Sequence, residues 1–155
     1  MKLDEFINKY INTKVDFDNA FGAQCVDLFR QYCKDVLDIP HTGSVDGAKD
    51  IYLNYYKMEG EKKYFYQLPI TEIRTGDVII WNSNSNNKYG HVAIVMGFNP
   101  SGVLVLEQDG FKQNGVKFKI RSFENVLGIL RFKGANKWTM WMELHLVKLL
   151  EWWPL

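Results

Sequence analysis

The stretch QCVDLFRQYCKDVL, residues 24–37, puts Cys25, Leu28, Phe29, Tyr32, Cys33 and Val36 three or four residues apart, on one side of a helix. The pattern predicts a helix from Gln24 that ends before Pro40, with Cys25 at its N-terminus. Ahead of it, LDEFINKYI spaces Leu3, Phe6, Ile7, Tyr10 and Ile11 as one helical face, with Asp4 and Glu5 in the first turn, predicting a helix over about residues 3–12. SVDGAKDIYLNYYKM predicts a third, weaker helix starting near Ser44, with Gly47 weakening its first turn. After Pro69 the period changes. GDVIIW, HVAIVMGF, GVLVLEQD, GVKFKIRSF and LGILRF are short β-rich runs separated by Asn, Gly, Ser and Pro turns. Helices followed by a run of strands predict an α+β domain, its N-terminal helices packed on an antiparallel sheet. NSNSNNKYG, residues 82–90, reads as a polar, mobile loop leading directly to His91.

Composition narrows what such a domain does. The 155 residues are 46% hydrophobic and 24% charged, enough for one compact domain with a real core. A formal net charge of +1 with scattered basic residues excludes the electrostatic footprint of a nucleic-acid binder. MKLDEFINKYI has no long apolar run, so a product of the cytoplasm without a signal peptide is expected, and no segment reaches the roughly 18 apolar residues of a membrane span. Cys25 and Cys33 lie eight residues apart in one helix, roughly 12 Å, too far for a disulfide. Four of the five tryptophans fall in residues 136–155. A domain over residues 1–134 and a Trp-rich, hydrophobic tail over 135–155 are therefore expected.

A cysteine at a helix N-terminus feels the positive end of the helix dipole, which favours the thiolate, the form that acts as nucleophile. Cys33 lacks that position and reads as a small buried hydrophobe. A nucleophile needs a base, and the chain offers only His41, His91 and His145. His91 opens a strand on the same face as the small residues Ala93 and Val95. In VLVLEQDG the period of two puts Val103, Val105, Glu107 and Asp109 on one face, so a carboxylate interrupts an apolar strand at Glu107 and needs a partner. His91 is the natural partner if the two strands pair.

The blocks GAQCVDL, YGHVAIV and VLEQDG, with GAKDI and GDVIIW in the same order, resemble the CHAP domain, the cysteine, histidine-dependent amidohydrolase/peptidase domain of phage endolysins and bacterial wall hydrolases. The resemblance runs from about residue 3 to residue 132 and implies a papain-like CHAP fold. It also implies a peptidoglycan hydrolase, an amidase or endopeptidase, with Cys25 as nucleophile, His91 as general base and Glu107 orienting the imidazole. Many relatives read Glu-Gln-Asn where this chain reads Glu107, Gln108, Asp109. Asp109 can polarise the histidine as a carboxylate but cannot donate the amide hydrogen bonds of Asn. Gln24 is either an oxyanion donor or a solvent-facing residue before the helix. A virion-associated or bacterial wall-remodelling cysteine peptidase, and a non-catalytic wall-binding module, are the alternative readings. Release through holin-made lesions is what the resemblance implies for an enzyme without a signal. The tail is too short for a separate wall-binding domain. Contact with a membrane surface, self-association, or an extension packing wherever it can remain open for it.

Three aspartates surround the cysteine in VDFDNAFGAQCVD, residues 15–27. Counting Asp16 as position 1, Asp18 is 3, Ala20 is 5, Gly22 is 7 and Asp27 is 12, the ligand spacing of an EF-hand calcium loop, with Ala20 offering only its carbonyl and Phe21 where that loop has Gly. Calcium-dependent CHAP endolysins are similar in this segment, which implies Ca2+ as a structural or activating ion. The alternative is that Asp16 or Asp18 begins a turn while Asp27 supports the helix N-terminus.

Overall fold

The computed structural model describes residues 1–134, so the reading of the tail lies outside the described residues. α1 spans Leu3–Tyr10 and α2 Cys25–Tyr32, close to the predicted starts. α2 continues as a wider π-turn over Cys33–Leu37 and stops at Asp38, whose left-handed backbone (φ 54°) returns its N–H to the Cys33 carbonyl.

Among the described residues, β1 (Phe65–Leu68), β2 (Val78–Trp81), β3 (His91–Asn99), β4 (Gly102–Gln108), β5 (Val116–Arg121) and β6 (Val126–Phe132) form one antiparallel sheet, ordered β1-β6-β2-β3-β4-β5. Alternation along the strands divides two cores. Ile80, Val92, Ile94 and Leu106 pack against Leu28 and Phe29 of α2. Ile79, Ala93, Val95, Val103, Val105 and Ile129 form a second cluster on the other face. Burial of each such aliphatic side chain contributes about 1.5–3 kcal/mol, which makes this sheet the rigid frame of the molecule. The predicted α+β class and the faces read for β3 and β4 match this arrangement. No helix of the described residues is long and apolar enough to cross a membrane.

The third helix differs from expectation. Residues 44–49 are not helical; α3 covers only Asp50–Leu53, a 3-10 turn follows at Tyr55–Lys57, and α4, Glu59–Tyr64, leads into β1 before Pro69. Gly47 explains the late start. A side-chain carbon there would lie 2.6 Å from the Tyr89 carbonyl oxygen. The same carbonyl accepts the Lys49 N–H at 3.1 Å, so this segment holds the chain that enters β3 instead of winding a first turn.

The loop over 82–90 is laced by its own side chains. Asn84 Oδ1 accepts the N–H groups of Asn86 and Asn87, each at 2.9 Å, while Asn87 accepts from Tyr89 N–H at 3.0 Å and donates to the Gly90 carbonyl at 2.7 Å. Gly90 then turns with φ 73°, where a side-chain carbon would sit 2.5 Å from the Trp81 carbonyl oxygen. His91 is delivered directly opposite Trp81, at the end of the β2–β3 ladder.

Candidate active site

Cys25 is the first residue of α2 and is half-buried. Cys25 therefore sits in the first turn of the helix, at the positive end of its dipole. The N-terminus is fixed by Asp27, whose Oδ2 accepts the Gln24 N–H at 2.8 Å. Cys33, at 1% exposure, belongs to the core, and burial pushes its thiol pKa far up.

His91 Nε2 meets Glu107 Oε2 at 2.9 Å, which makes Nε2 the donor to the carboxylate and leaves Nδ1 as the ring nitrogen available to the Cys25 thiol. Burial opposes a charge on His91, but the hydrogen bonds with Cys25 and Glu107 outweigh it and raise its pKa to about 9. Burial likewise opposes ionisation of Glu107. Its bonds to His91 and Arg121 win, lowering the carboxyl to about 2. Cys25, His91 and Glu107 are thus brought together where α2, β3 and β4 meet.

Glu107 has no solvent exposure, and its charge is met by a residue the sequence reading did not single out. Arg121 of β5 forks onto it, Nε to Oε2 and Nη2 to Oε1, and Lys119 Nζ lies 3.9 Å from Oε1. The Arg121 guanidinium also sits over the Trp81 ring, 5.7 Å from its centroid, and Trp81 is fixed by its indole N–H to the Ser122 carbonyl at 3.1 Å. A signal existed in GVKFKIRSF. Lys117, Lys119 and Arg121 alternate with Phe118 and Ile120, so three cations share one face of the strand beside Glu107.

Asp109 lines the same cleft but points into its own turn, where Oδ1 accepts the N–H groups of Phe111 and Lys112 at 3.0 and 3.2 Å. No hydrogen bond joins it to His91 among the described residues. Gln24 also lines the cleft, its Nε2 donating to the Phe21 carbonyl at 2.9 Å. His41 lies elsewhere, bonded to the Thr42 carbonyl and edge-on to Phe17; His145 is outside the described residues. The cleft holds about 840 Å³ and is open to solvent, with Cys25, His91 and Arg121 on its wall.

Between residues 16 and 27 the chain brings Asp16, Asp18 and Asp27 together, with one oxygen from each within 4.8 Å of the others. Asn19 (φ 56°), Phe21 (φ 64°) and Gly22 (φ 73°) all take left-handed backbone, so Phe21 makes the turn that EF-hand loops give to Gly, its ring 93% exposed. Arg30 of α2 enters the cluster, Nη1 2.6 Å from Asp18 Oδ2 and 3.5 Å from Asp27 Oδ1. Burial first, then repulsion from Asp18 and Asp16, pushes the Asp27 carboxyl up. Ala20 donates its N–H to Asp18 Oδ1 at 3.0 Å, and at Gly22 the loop comes close to Gln113, whose Oε1 would lie 3.1 Å from a side-chain carbon there.

Gln108 joins the aspartate loop to the relay. Fully buried next to Glu107, its Oε1 accepts Val15 N–H at 2.8 Å while Nε2 donates to the carbonyls of Val15 (2.7 Å) and Gln24 (2.8 Å).

Six antiparallel strands under N-terminal helices, with a cysteine at a helix start and a histidine at a strand start, define a papain-like α+β domain. The family model of the CHAP domain matches residues 14–109, and the chain belongs to that family. It is 33% identical over 120 residues to endolysin PlyTW of Staphylococcus phage Twort, an alignment that covers 73% of this chain and 24% of that protein. The chain therefore corresponds to about a quarter of the length of that relative. Among solved structures it is similar to the wild-type endolysin LysIME-EF1, with TM-score 0.59, 20% identity, 84% of this chain and 64% of that one. It is also similar to Ly7917 with the hydrolysing product of MDP, with TM-score 0.49, 19% identity, 72% of this chain and 54% of that one.

Proposed function

We propose that the domain hydrolyses an amide bond of bacterial peptidoglycan by cysteine-dependent acyl transfer, as the CHAP domain of an endolysin. The observation that carries this reading is the Cys25–His91–Glu107 relay standing in an open cleft. The Cys25 thiolate attacks the amide carbonyl carbon, and the oxyanion is held by the Cys25 backbone N–H at the start of α2. His91, held as imidazolium by Glu107, gives its proton to the leaving amine. Water, deprotonated by His91, then attacks the thioester, and the Cys25 thiolate departs as the carboxylic acid forms. Release of the enzyme from the host cytoplasm through holin lesions is part of the same reading. Amidase and endopeptidase reactions use these steps alike, so the bond is set by how the cleft seats the wall peptide. Digestion of purified sacculi, with mass analysis of the released fragments, tests the reading. New amino and carboxyl termini name the bond, and intact sacculi under every condition would return the domain to a non-catalytic wall-binding module.

For the aspartate loop we propose a calcium site. Its donors are carboxylate oxygens, the chemistry a hard divalent cation takes, and three carboxylates less the Arg30 guanidinium leave two negative charges, which balance the two positive charges of one such ion. Asp16, Asp18 and Asp27 would hold it, with the carbonyls of Ala20 and Gly22 as the further oxygens. Bound calcium would neutralise the carboxylates and secure the loop that leads into α2. Calcium at about a hundred times its dissociation constant is expected to add about 2.7 kcal/mol of stability, a rise of several degrees in the thermal midpoint. Chelation should reverse it and Asp18→Asn should abolish it. A midpoint indifferent to calcium would leave Asp16, Asp18 and Asp27 as turn and capping residues.

A further inference from the structure

Glu107 is the point at which the relay meets the rest of the protein. Its two oxygens have different duties. Oε2 receives both His91 Nε2 and Arg121 Nε, whereas Oε1 receives Arg121 Nη2 and faces Lys119. A carboxylate with no exposure could rotate or drift if only the histidine held it, because one hydrogen bond leaves the torsion at its end broad. The planar fork of an arginine removes that freedom by gripping both oxygens. Arg121 is in turn held by Trp81, which lies under its guanidinium and whose ring also stands 5.7 Å from the His91 ring.

We infer that Arg121 is a positioning residue of the relay, its guanidinium aiming the Glu107 carboxylate at His91 and limiting how strongly that carboxylate draws on the imidazole proton. The inference rests on the catalytic reading above. Arg121 shares the acceptor oxygen of His91, so each donor weakens the other's bond to it. Its positive charge also opposes a second cation at His91, against the pull of Cys25 and Glu107. The groups that face His91 are therefore Cys25 from α2, Glu107 from β4, and Arg121 from β5, with Lys119 of the same strand behind Glu107 and the uncharged Trp81 from β2 alongside. A lysine cannot replace this arrangement, because a single ammonium cannot bind two oxygens in one plane.

The test uses the full chain, with His91 titrated by nuclear magnetic resonance of isotope-labelled histidine in a Cys25→Ser background, so that the readout needs no turnover. Arg121→Gln is expected to raise the His91 pKa by about one unit, and Arg121→Lys to leave it close to the parent. In the protein that retains Cys25, Arg121→Gln is expected to lower kcat on soluble wall peptides about 10–100-fold with KM within about twofold, and Arg121→Lys to recover part of the loss. A raised KM with unchanged kcat would overturn the inference and make Arg121 a substrate contact. An unmoved His91 pKa with activity lost in step with thermal stability would also overturn it, leaving Arg121 as scaffold. Should Arg121→Gln fail to fold, the Lys variant decides. It keeps the charge without the fork, and undiminished kcat in it would refute the aiming role. Wall hydrolysis retained by Cys25→Ser would instead overturn the catalytic reading, while the titration still reports on Arg121.

Discussion

Cys25→Ser is expected to lower wall hydrolysis by at least about a thousandfold while moving stability by no more than about 0.5 kcal/mol. The two halves of the prediction come from different features. Serine is nearly the shape of cysteine, and at the half-buried first position of α2 it disturbs neither the Asp27 cap nor the apolar face of Leu28 and Phe29. Its hydroxyl is far less acidic than a thiol, so the nucleophile that the His91 pair sustains is lost. Release of soluble fragments from sacculi measures the first effect and a denaturant midpoint the second. Activity within tenfold of the parent would remove Cys25 from the chemistry; a large fall in midpoint would mean that the thiol supports the helix start.

Glu107→Gln is expected to act on both stability and activity, and its signature is a changed dependence on pH. Glu107 has its pKa lowered from an ordinary 4.5 to about 2, so its ionised form favours the folded state. That contribution, about 3 kcal/mol, is present above pH 4.5 and is lost as pH falls towards 2. His91 runs the other way. Its pKa rises from 6.5 to about 9, so its contribution is complete below pH 6.5 and is lost as pH rises through 9. The two shifts describe one ion pair and are not summed. Stability should therefore peak between pH 4.5 and 6.5 in the parent. In Glu107→Gln the acid limb flattens, and the partly exposed guanidinium of Arg121 loses its fully buried counter-ion, at a cost of about 1–3 kcal/mol. Denaturant midpoints measured across pH check this, and a variant with an unchanged acid limb would refute it.

Much of the site was legible because its chemistry interrupts regular patterns. Cys25 heads an apolar helical face, and Glu107 breaks the alternation of Val103 and Val105, so each announces itself locally. Pairing them through His91 required only that β3 and β4 be neighbours, which a short Pro-Ser turn makes natural. Arg121 was harder to read, since a cation on an edge strand is ordinary and its partner lies on another strand. Asp109 illustrates the opposite difficulty. Period two continued past Gln108 set it on the face of Glu107, but β4 ends there, and the side chain caps the turn that follows. The third helix failed for a tertiary reason: Gly47 is small because the Tyr89 carbonyl approaches it, a constraint no local propensity encodes.

The amide of Gln108 does sideways what a neighbouring β-strand does lengthwise. It exchanges both hydrogen bonds with the Val15 peptide, as residues facing each other across an antiparallel ladder do, and adds a third to Gln24. A single side chain thereby stands in for a seventh strand along this stretch. The backbone ahead of the aspartates cannot peel away without freeing buried polar groups beside Glu107, so the two regions should open in hydrogen exchange as one cooperative unit. Ordering the acidic loop and aligning the relay then become a single equilibrium, written in the adjacency of residues 107 and 108.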